Sequence, residues 1–280
     1  MDLSISLKSQ IFLSVTPILI ERKNLLSLRY IAKKAWLYGR SLYYLSSDDI
    51  ILAFYPKTGS TWVRFFLYNL LKDAPLEEPP PSFDELNTYM AEFGHSSMSD
   101  PWPFESQPRL IKTHRPYNWL FRGNRSMLVV RDPRDIMVSF YHYATAKETN
   151  SFDGTLEDMI WHSELGLEAF FQHYASWKEH VGLIVRYEDL KTTPSEHFKR
   201  IAEFCQVEAE DDQIRRAIKR SSLENVRQSQ ERSGNAFDHL DDDFTFARKG
   251  TPFQWQDHFG EAALAEYDRL CREYDFHLYE

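Results

Sequence analysis

The chain has 280 residues, is 42% hydrophobic and 27% charged, and uses glycine and proline at ordinary levels, so a globular protein with a sizeable core is expected, in one large α/β domain or two small ones. A formal net charge of −9 at pH 7 argues against a general nucleic-acid binder, so any basic site must be local. Its two cysteines, Cys205 and Cys271, show no metal or redox spacing and read as free thiols of a reducing, cytoplasmic compartment.

From the N-terminus, the apolar run Ile11 to Ile20 is half the length needed to span a bilayer, and Pro17 interrupts it. No compact apolar core with a small-residue cleavage site follows a basic start, so a cleavable signal peptide is not expected. Arg22, Lys23, Arg29, Lys33, Lys34 and Arg40 then interleave with Leu25, Leu26, Leu28, Ile31, Trp36 and Leu37. Such a pattern suits an anionic membrane surface. It equally suits an amphipathic helix docked on its own domain, and that is the expectation for residues 1–45, with the remaining domain over 46–280.

Ile50-Ile51-Leu52-Ala53-Phe54 reads as a buried strand and the segment from Val63 to Leu71 as a helix, joined by the loop Tyr55-Pro56-Lys57-Thr58-Gly59-Ser60-Thr61-Trp62. The first turn of a helix leaves backbone N–H groups without partners, and a Gly-containing loop lets an oxyanion approach them. The loop is not a standard triphosphate P-loop, because Lys57 precedes Gly59 and no glycine opens it. Lys57 still reaches a bound phosphate, Thr58, Ser60 and Thr61 add hydroxyls, and Trp62 offers a face for a purine.

After the rigid turn at Glu77-Glu78-Pro79-Pro80-Pro81-Ser82, residues 83–108 carry scattered aromatics without sustained periodicity. Phe83, Tyr89, Phe93 and Trp102, with Tyr117, His142 and Phe237 from later segments, are candidates for a small-molecule pocket. Arg109-Leu110-Ile111-Lys112-Thr113-His114 reads as a second buried strand, and Pro116 turns the chain away. Ligand chemistry in parallel α/β sheets sits at the carboxyl ends of strands, which is where Lys112 and His114 fall. Ser126 to Val130 is a third strand, followed by Arg131-Asp132-Pro133-Arg134-Asp135, with Pro133 in the first turn of a helix and Asp132 as its cap. Arg131 and Ser139 either converge on one phosphate or leave only a helix-capping ion pair.

Two helices are expected between Thr155 and His180, and the histidines there lack metal-ligand spacing. A fourth strand runs from Gly182 toward Tyr187 at its carboxyl end. Helices follow around Pro194–Cys205 and Asp211–Ser222. A charged segment then leads to Arg248-Lys249-Gly250, a plausible lid over an anion, and Glu261 to Tyr274 forms a closing amphipathic helix.

Taken together, Pro-Lys-Thr-Gly-Ser-Thr-Trp, Lys-Thr-His, Arg-Asp-Pro-Arg-Asp…Val-Ser and Arg-Lys-Gly occur in an order that resembles the cytosolic sulfotransferases, enzymes that use 3′-phosphoadenosine 5′-phosphosulfate (PAPS) and release adenosine 3′,5′-bisphosphate (PAP). The resemblance covers about Ile50 to Phe259 and implies a single α/β domain, a central parallel sheet flanked by helices with a P-loop-like fold. It implies His114 as general base, Lys57 at the leaving oxygen, Lys112 on the sulfuryl oxygens, and Ser139 restraining Lys57 until an acceptor binds. Cofactor contacts carried over are Lys57 to Trp62, Arg131 and Ser139 at the 3′-phosphate, and Tyr187 and Ser221-Ser222-Leu223 near the adenine. Arg248, Lys249 and Gly250 complete the set.

The chain departs from the family at Leu223, where an aromatic is usual, and at Phe253-Gln254, where Gly-Asp is usual. It also lacks the C-terminal dimerisation element of many animal members, so a monomer or a non-standard dimer is expected. No metal is called for, and the acceptor is a small molecule bearing a hydroxyl or an amine. Two other readings stay open on sequence alone: a metal-dependent small-molecule kinase, and a non-catalytic nucleotide-binding module associated with membranes.

Overall fold

The computed structural model describes residues 26–96, 98–147, 152–233 and 251–279; Phe237, Arg248, Lys249 and Gly250 lie outside these segments. The four apolar runs are strands: β1 (Ile50–Phe54), β2 (Leu110–Thr113), β3 (Arg125–Val130) and β4 (Leu183–Arg186), all parallel in the order β2-β1-β3-β4. Ala53 sits opposite Thr113 on one side and Leu128 on the other, so the carboxyl ends of β1, β2 and β3 are level.

Both faces of this sheet are covered, which is why its strands read as continuous apolar runs instead of alternating ones. Leu52, Phe54, Leu110, Met127 and Val129 face one core. That core is completed by α2 (Ser60–Lys72), α3 (Phe83–Tyr89), α8 (Pro194–Phe204), α9 (Asp211–Arg220) and α10 (Leu223–Arg232) through residues such as Phe66, Leu86, Phe198, Ile214 and Val226. Ile51, Ala53, Ile111, Leu128 and Val130 face the other core, built with α4 (Pro133–Thr145), α6 (Leu167–Trp177) and α11 (Glu261–Tyr274) through Ile136, Phe171, Trp177 and Leu270. Two short helices, α5 (Leu156–Ile160) and α7 (Tyr187–Thr192), lie against this frame. The chain is thus one α/β domain with a central parallel sheet between helical layers.

Preceding the sheet, α1 (Leu26–Tyr44) is held by one side only. Leu37 and Ser41 are buried, the Tyr38 ring meets Phe93 edge-on at 5.4 Å, and Ser41 Oγ accepts from the Gly94 amide at 2.9 Å. Lys34 Nζ lies 3.0 Å from His95 Nδ1.

Residues 83–108 are more ordered than their aperiodic sequence suggests. Ser82 accepts from the Glu85 amide and caps α3, with Asp84 and Glu85 favourably placed in its first turn. Further on, Glu92 pairs with Lys112 in a parallel bridge: the Lys112 amide donates to Ala91 and the Phe93 amide to Lys112. Two of the expected pocket aromatics are thereby spent on packing. Phe83 is 6% exposed against Phe65, and Phe93 is fully buried between Tyr38 and Phe121.

Candidate active site

The loop after β1 is a tight turn built around its own backbone. Thr58 donates through Oγ1 to the Tyr55 carbonyl at 2.8 Å, and Lys57 and Gly59 both adopt left-handed φ values of 70° and 95°. Gly59 then begins α2 with no side-chain cap, so the first-turn amides of Ser60, Thr61 and Trp62 meet no capping side chain and present an anion-binding end. A side chain at Gly59 is excluded on two counts. Its φ disfavours L residues, and a Cβ there would lie 2.7 Å from Tyr187 Cδ2.

His114 follows β2 directly and its ring returns to β1, with Nδ1 2.9 Å from the Phe54 carbonyl oxygen. A carbonyl only accepts, so Nδ1 carries the proton and Nε2 presents a lone pair. Burial first, and the Lys112 charge second, push its pKa down to about 3 against the opposing pull of Glu92 and the Phe54 carbonyl. The imidazole is therefore neutral across the physiological range.

Lys112, two residues back on the same face of β2, is tied to Glu92 at 2.8 Å. Burial alone would raise the Glu92 pKa, but Lys112, His114 and His95 outweigh it and hold the carboxyl at about 2. Burial likewise lowers the Lys112 pKa and Glu92 opposes it. Behind this pair, buried Arg64 of α2 donates to Met90 O at 3.0 Å and Asn87 Oδ1 at 2.8 Å, fastening the end of α3 beside the site.

A second cationic centre sits at the end of β3. Arg131 donates to the Lys57 carbonyl at 3.3 Å and the Thr251 carbonyl at 3.5 Å, lies 3.7 Å from Asp135, and stacks over Tyr187 at 4.8 Å. Its Nε is buried and has no partner among the described residues. Asp135 accepts from the amides of Phe253 and Trp255 at 2.7 and 3.1 Å, which anchors the segment that starts at Thr251 beside Arg131. Burial raises the Asp135 pKa, and Arg131 and the two amides resist it.

Ser139 lies one helical turn beyond Asp135 and one turn before Tyr143, whose ring lies 4.7 Å from Lys57 Nζ. The α4 stripe that carries Ser139 thus runs from the Arg131 centre to the loop lysine. Trp62 and Tyr187 meet at 5.8 Å, with Lys191 Nζ 5.3 Å from the indole. The structure therefore gathers Lys57, Thr58, Gly59 to Trp62, Arg131, Ser139 and Tyr187 around one loop, with His114 and Lys112 at the neighbouring strand end.

Other expected residues are elsewhere employed. Ser221 Oγ donates to Ile218 and Ser222 Oγ caps α10 by accepting from Asn225; no hydrogen bond ties either to the loop among the described residues. Leu223 is 36% exposed. Tyr117 stacks on His180 at 3.7 Å, on the second-core side of the sheet. Tyr89 and Trp102 are half-buried around Phe104, and His142 is half-buried beside Tyr141. Glu92, Asp135 and Tyr143 are additions to which the sequence alone assigned no role in the site. Asp135 and Tyr143 were within reach of it, since both lie four residues from Ser139.

Among the described residues no group of three or more His, Cys, Asp or Glu is placed to hold a metal ion, and no helix is long and apolar enough to cross a membrane.

Residues 47–277 match the family described as "Sulfotransferase domain". The chain is 27% identical over 237 residues to sulfotransferase 6B1 of Danio rerio, covering 80% of this chain and 77% of that protein. It is 27% identical over 247 residues to sulfotransferase 1B1 of Canis lupus familiaris, covering 81% and 83%. Among solved structures, retinol dehydratase in complex with androsterone and inactive cofactor PAP superimposes with a TM-score of 0.65 at 20% identity, over 88% of this chain and 84% of that one. Mouse sulfotransferase SULT7A1 complexed with PAP gives a TM-score of 0.62 at 21% identity, over 87% and 90%.

Proposed function

The chain belongs to the sulfotransferase domain family, and from that premise we propose that it moves a sulfuryl group from PAPS to a hydroxyl or amine of a small-molecule acceptor, with His114 as general base. The observation that carries the proposal is the placing of the His114 lone pair: with Nδ1 committed to Phe54, Nε2 is the proton acceptor, at a strand end level with the one that leads into the Lys57 loop.

PAPS, when bound, supplies a sulfur open to in-line attack with a phosphate oxygen as leaving group. The residues present fit that molecule. The uncapped start of α2 and Lys57 suit the 5′ end, and Trp62 and Tyr187 offer aromatic surface to a base. The Nε of Arg131, without a partner among the described residues, and the hydroxyl of Ser139 suit the 3′-phosphate, a second anionic group that a kinase substrate lacks. The family resemblance would add Arg248, Lys249 and Gly250, which lie outside the described residues, to the cofactor contacts.

His114 takes the acceptor proton on Nε2, and the Phe54 carbonyl steadies the imidazolium that results. Lys57 and the α2 amides offset charge on the leaving oxygen. Lys112 supports the transferring oxygens with a charge that Glu92 already balances in part, so its share is smaller than that of Lys57. Ser139, one turn before Tyr143, whose ring meets Lys57, would restrain that lysine.

The deciding experiment is transfer from radiolabelled PAPS to a panel of phenols, amines, steroid alcohols and retinol, the last two chosen because the solved relatives carry androsterone or retinol. His114→Ala should lower turnover by roughly two to four orders of magnitude while PAP binds as before. Unchanged turnover in that variant removes His114 as base. A requirement for a nucleoside triphosphate and Mg²⁺ instead of PAPS replaces the whole reading with the kinase one.

A further inference from the structure

Between Ile31 and Tyr43 the side of α1 that faces away from the domain carries an apolar stripe. Ile31, Ala35, Trp36, Gly39, Leu42 and Tyr43 recur at helical spacing opposite the buried Leu37 and Ser41, and all six are exposed. Trp36 is 55% and Tyr43 81% exposed, so large aromatic surface is left in water. Such a stripe on an outward helix marks an interaction surface. Arg29 and Lys33 are exposed along its edge, and the Arg40 guanidinium lies over the Trp36 ring at 4.8 Å.

Charge identifies the occupant. From Arg22 to Ser47 the sequence holds six cations and no aspartate or glutamate, in a chain whose net charge is −9. A second copy meeting this face would bring two such acid-free segments together, which repels. An anionic surface would be attracted, and its interfacial layer accepts Trp and Tyr with their polar tips in the headgroups. We propose that the outward stripe of α1, with its flanking Arg29, Lys33 and Arg40, docks the protein on an anionic lipid surface. The inner side of the helix stays on the domain through Leu37, Tyr38 and Ser41, so docking needs no unfolding and does not depend on the chemistry at His114.

The test is co-sedimentation of the full chain with vesicles of phosphatidylcholine alone or mixed with phosphatidylserine. Binding is expected to the mixed vesicles only, weakening as salt shortens the screening length. Neutralising two flank charges, Arg29→Gln with Lys33→Gln, should lower the partition coefficient about 30-fold, roughly fivefold per charge. Trp36→Ser with Tyr43→Ser should lower it by more than about tenfold. Because these four side chains are exposed, unfolding midpoints and PAP affinity should match the parent. Failure of the parent to bind either vesicle, or variants that bind as the parent does, overturns the proposal. So does a dimer in solution that the Trp36→Ser, Tyr43→Ser pair dissolves, or salt-sensitive binding to an acidic protein with none to lipid.

Discussion

At the residue scale the site works by placing charges that are partly spent on one another. His114 is kept neutral by burial and by Lys112, so the free enzyme should show no acid limb from this group near the ordinary imidazole range. The profile of kcat/KM should stay level as pH falls from about 8 to 5, and a limb near 6.5 that vanishes in His114→Gln would contradict the assigned environment. The same burial is a stability term. His114 and His173 both have folded pKa values lowered to about 3, so the stability they confer is complete above the unfolded value and is lost as pH falls toward the folded one. Between these limits each histidine should steepen the fall by about 1.4 kcal/mol per pH unit, and His173→Gln, which replaces a ring packed 5.5 Å from Tyr55, should remove one such share in urea titrations at pH 6 and 5. On the proposed function Arg131 is the counterpart at the other end of the cofactor. Arg131→Ala should weaken PAP by about 1.5–3 kcal/mol and leave adenosine 5′-phosphate affected far less, as read by calorimetry. Equal losses for both ligands would remove the 3′-phosphate assignment.

At the element scale the start of α2 sets the geometry, because the left-handed turn at Gly59 aims the first amides and brings Tyr187 into contact. Gly59→Ala forces both a disfavoured φ and a clash at 2.7 Å, so it should cost about 1–3 kcal/mol of stability in urea and weaken PAP binding as the loop shifts. An alanine variant with parent-like stability and affinity would show that the turn does not constrain the site. This turn, the four strands and the Asp132-Pro133 start of α4 were legible in sequence for local reasons: a sheet covered on both faces demands unbroken apolar runs, and Asp132 caps by accepting from Arg134 at 3.0 Å. The short α3 was signalled by Ser82 and Glu85 but has too few turns for a hydrophobic period to register. Glu92 had no local signal, since its partner lies 20 residues along and the two meet only through a parallel bridge. The pocket aromatics fared worst: Phe83 and Phe93 look the same in sequence as a ligand-facing ring, and only packing against Phe65, Tyr38 and Phe121 shows where their surface goes.

At the scale of the whole molecule, one sheet serves both cores, so neither helical layer can leave without stripping a face of the strands that carry Lys57, His114 and Arg131. The two thiols report on opposite sides of that sheet. Cys205 belongs to the core formed with α2, α8 and α9, and Cys271, on α11, belongs to the core formed with α4 and α6. Burial pushes the Cys205 thiol up to about 12, which leaves it inert in the folded state. If the domain opens as one cooperative unit, a thiol reagent labels both cysteines at a common rate set by global unfolding. On the proposed function PAP binds only the folded form, so at about 100 times its Kd it should slow both reactions by about 100-fold. Unequal rates, or a slowing confined to one thiol, would mean that one layer opens while the other still holds the nucleotide end of the sheet. In that case α4, which touches both Arg131 through Asp135 and Lys57 through Tyr143, is the element that would have to give way first or last. Repeating the labelling in Tyr143→Ala distinguishes those orders, because loosening α4 at the loop lysine should speed Cys271 more than Cys205 if its layer leads, and both alike if the sheet opens as a whole.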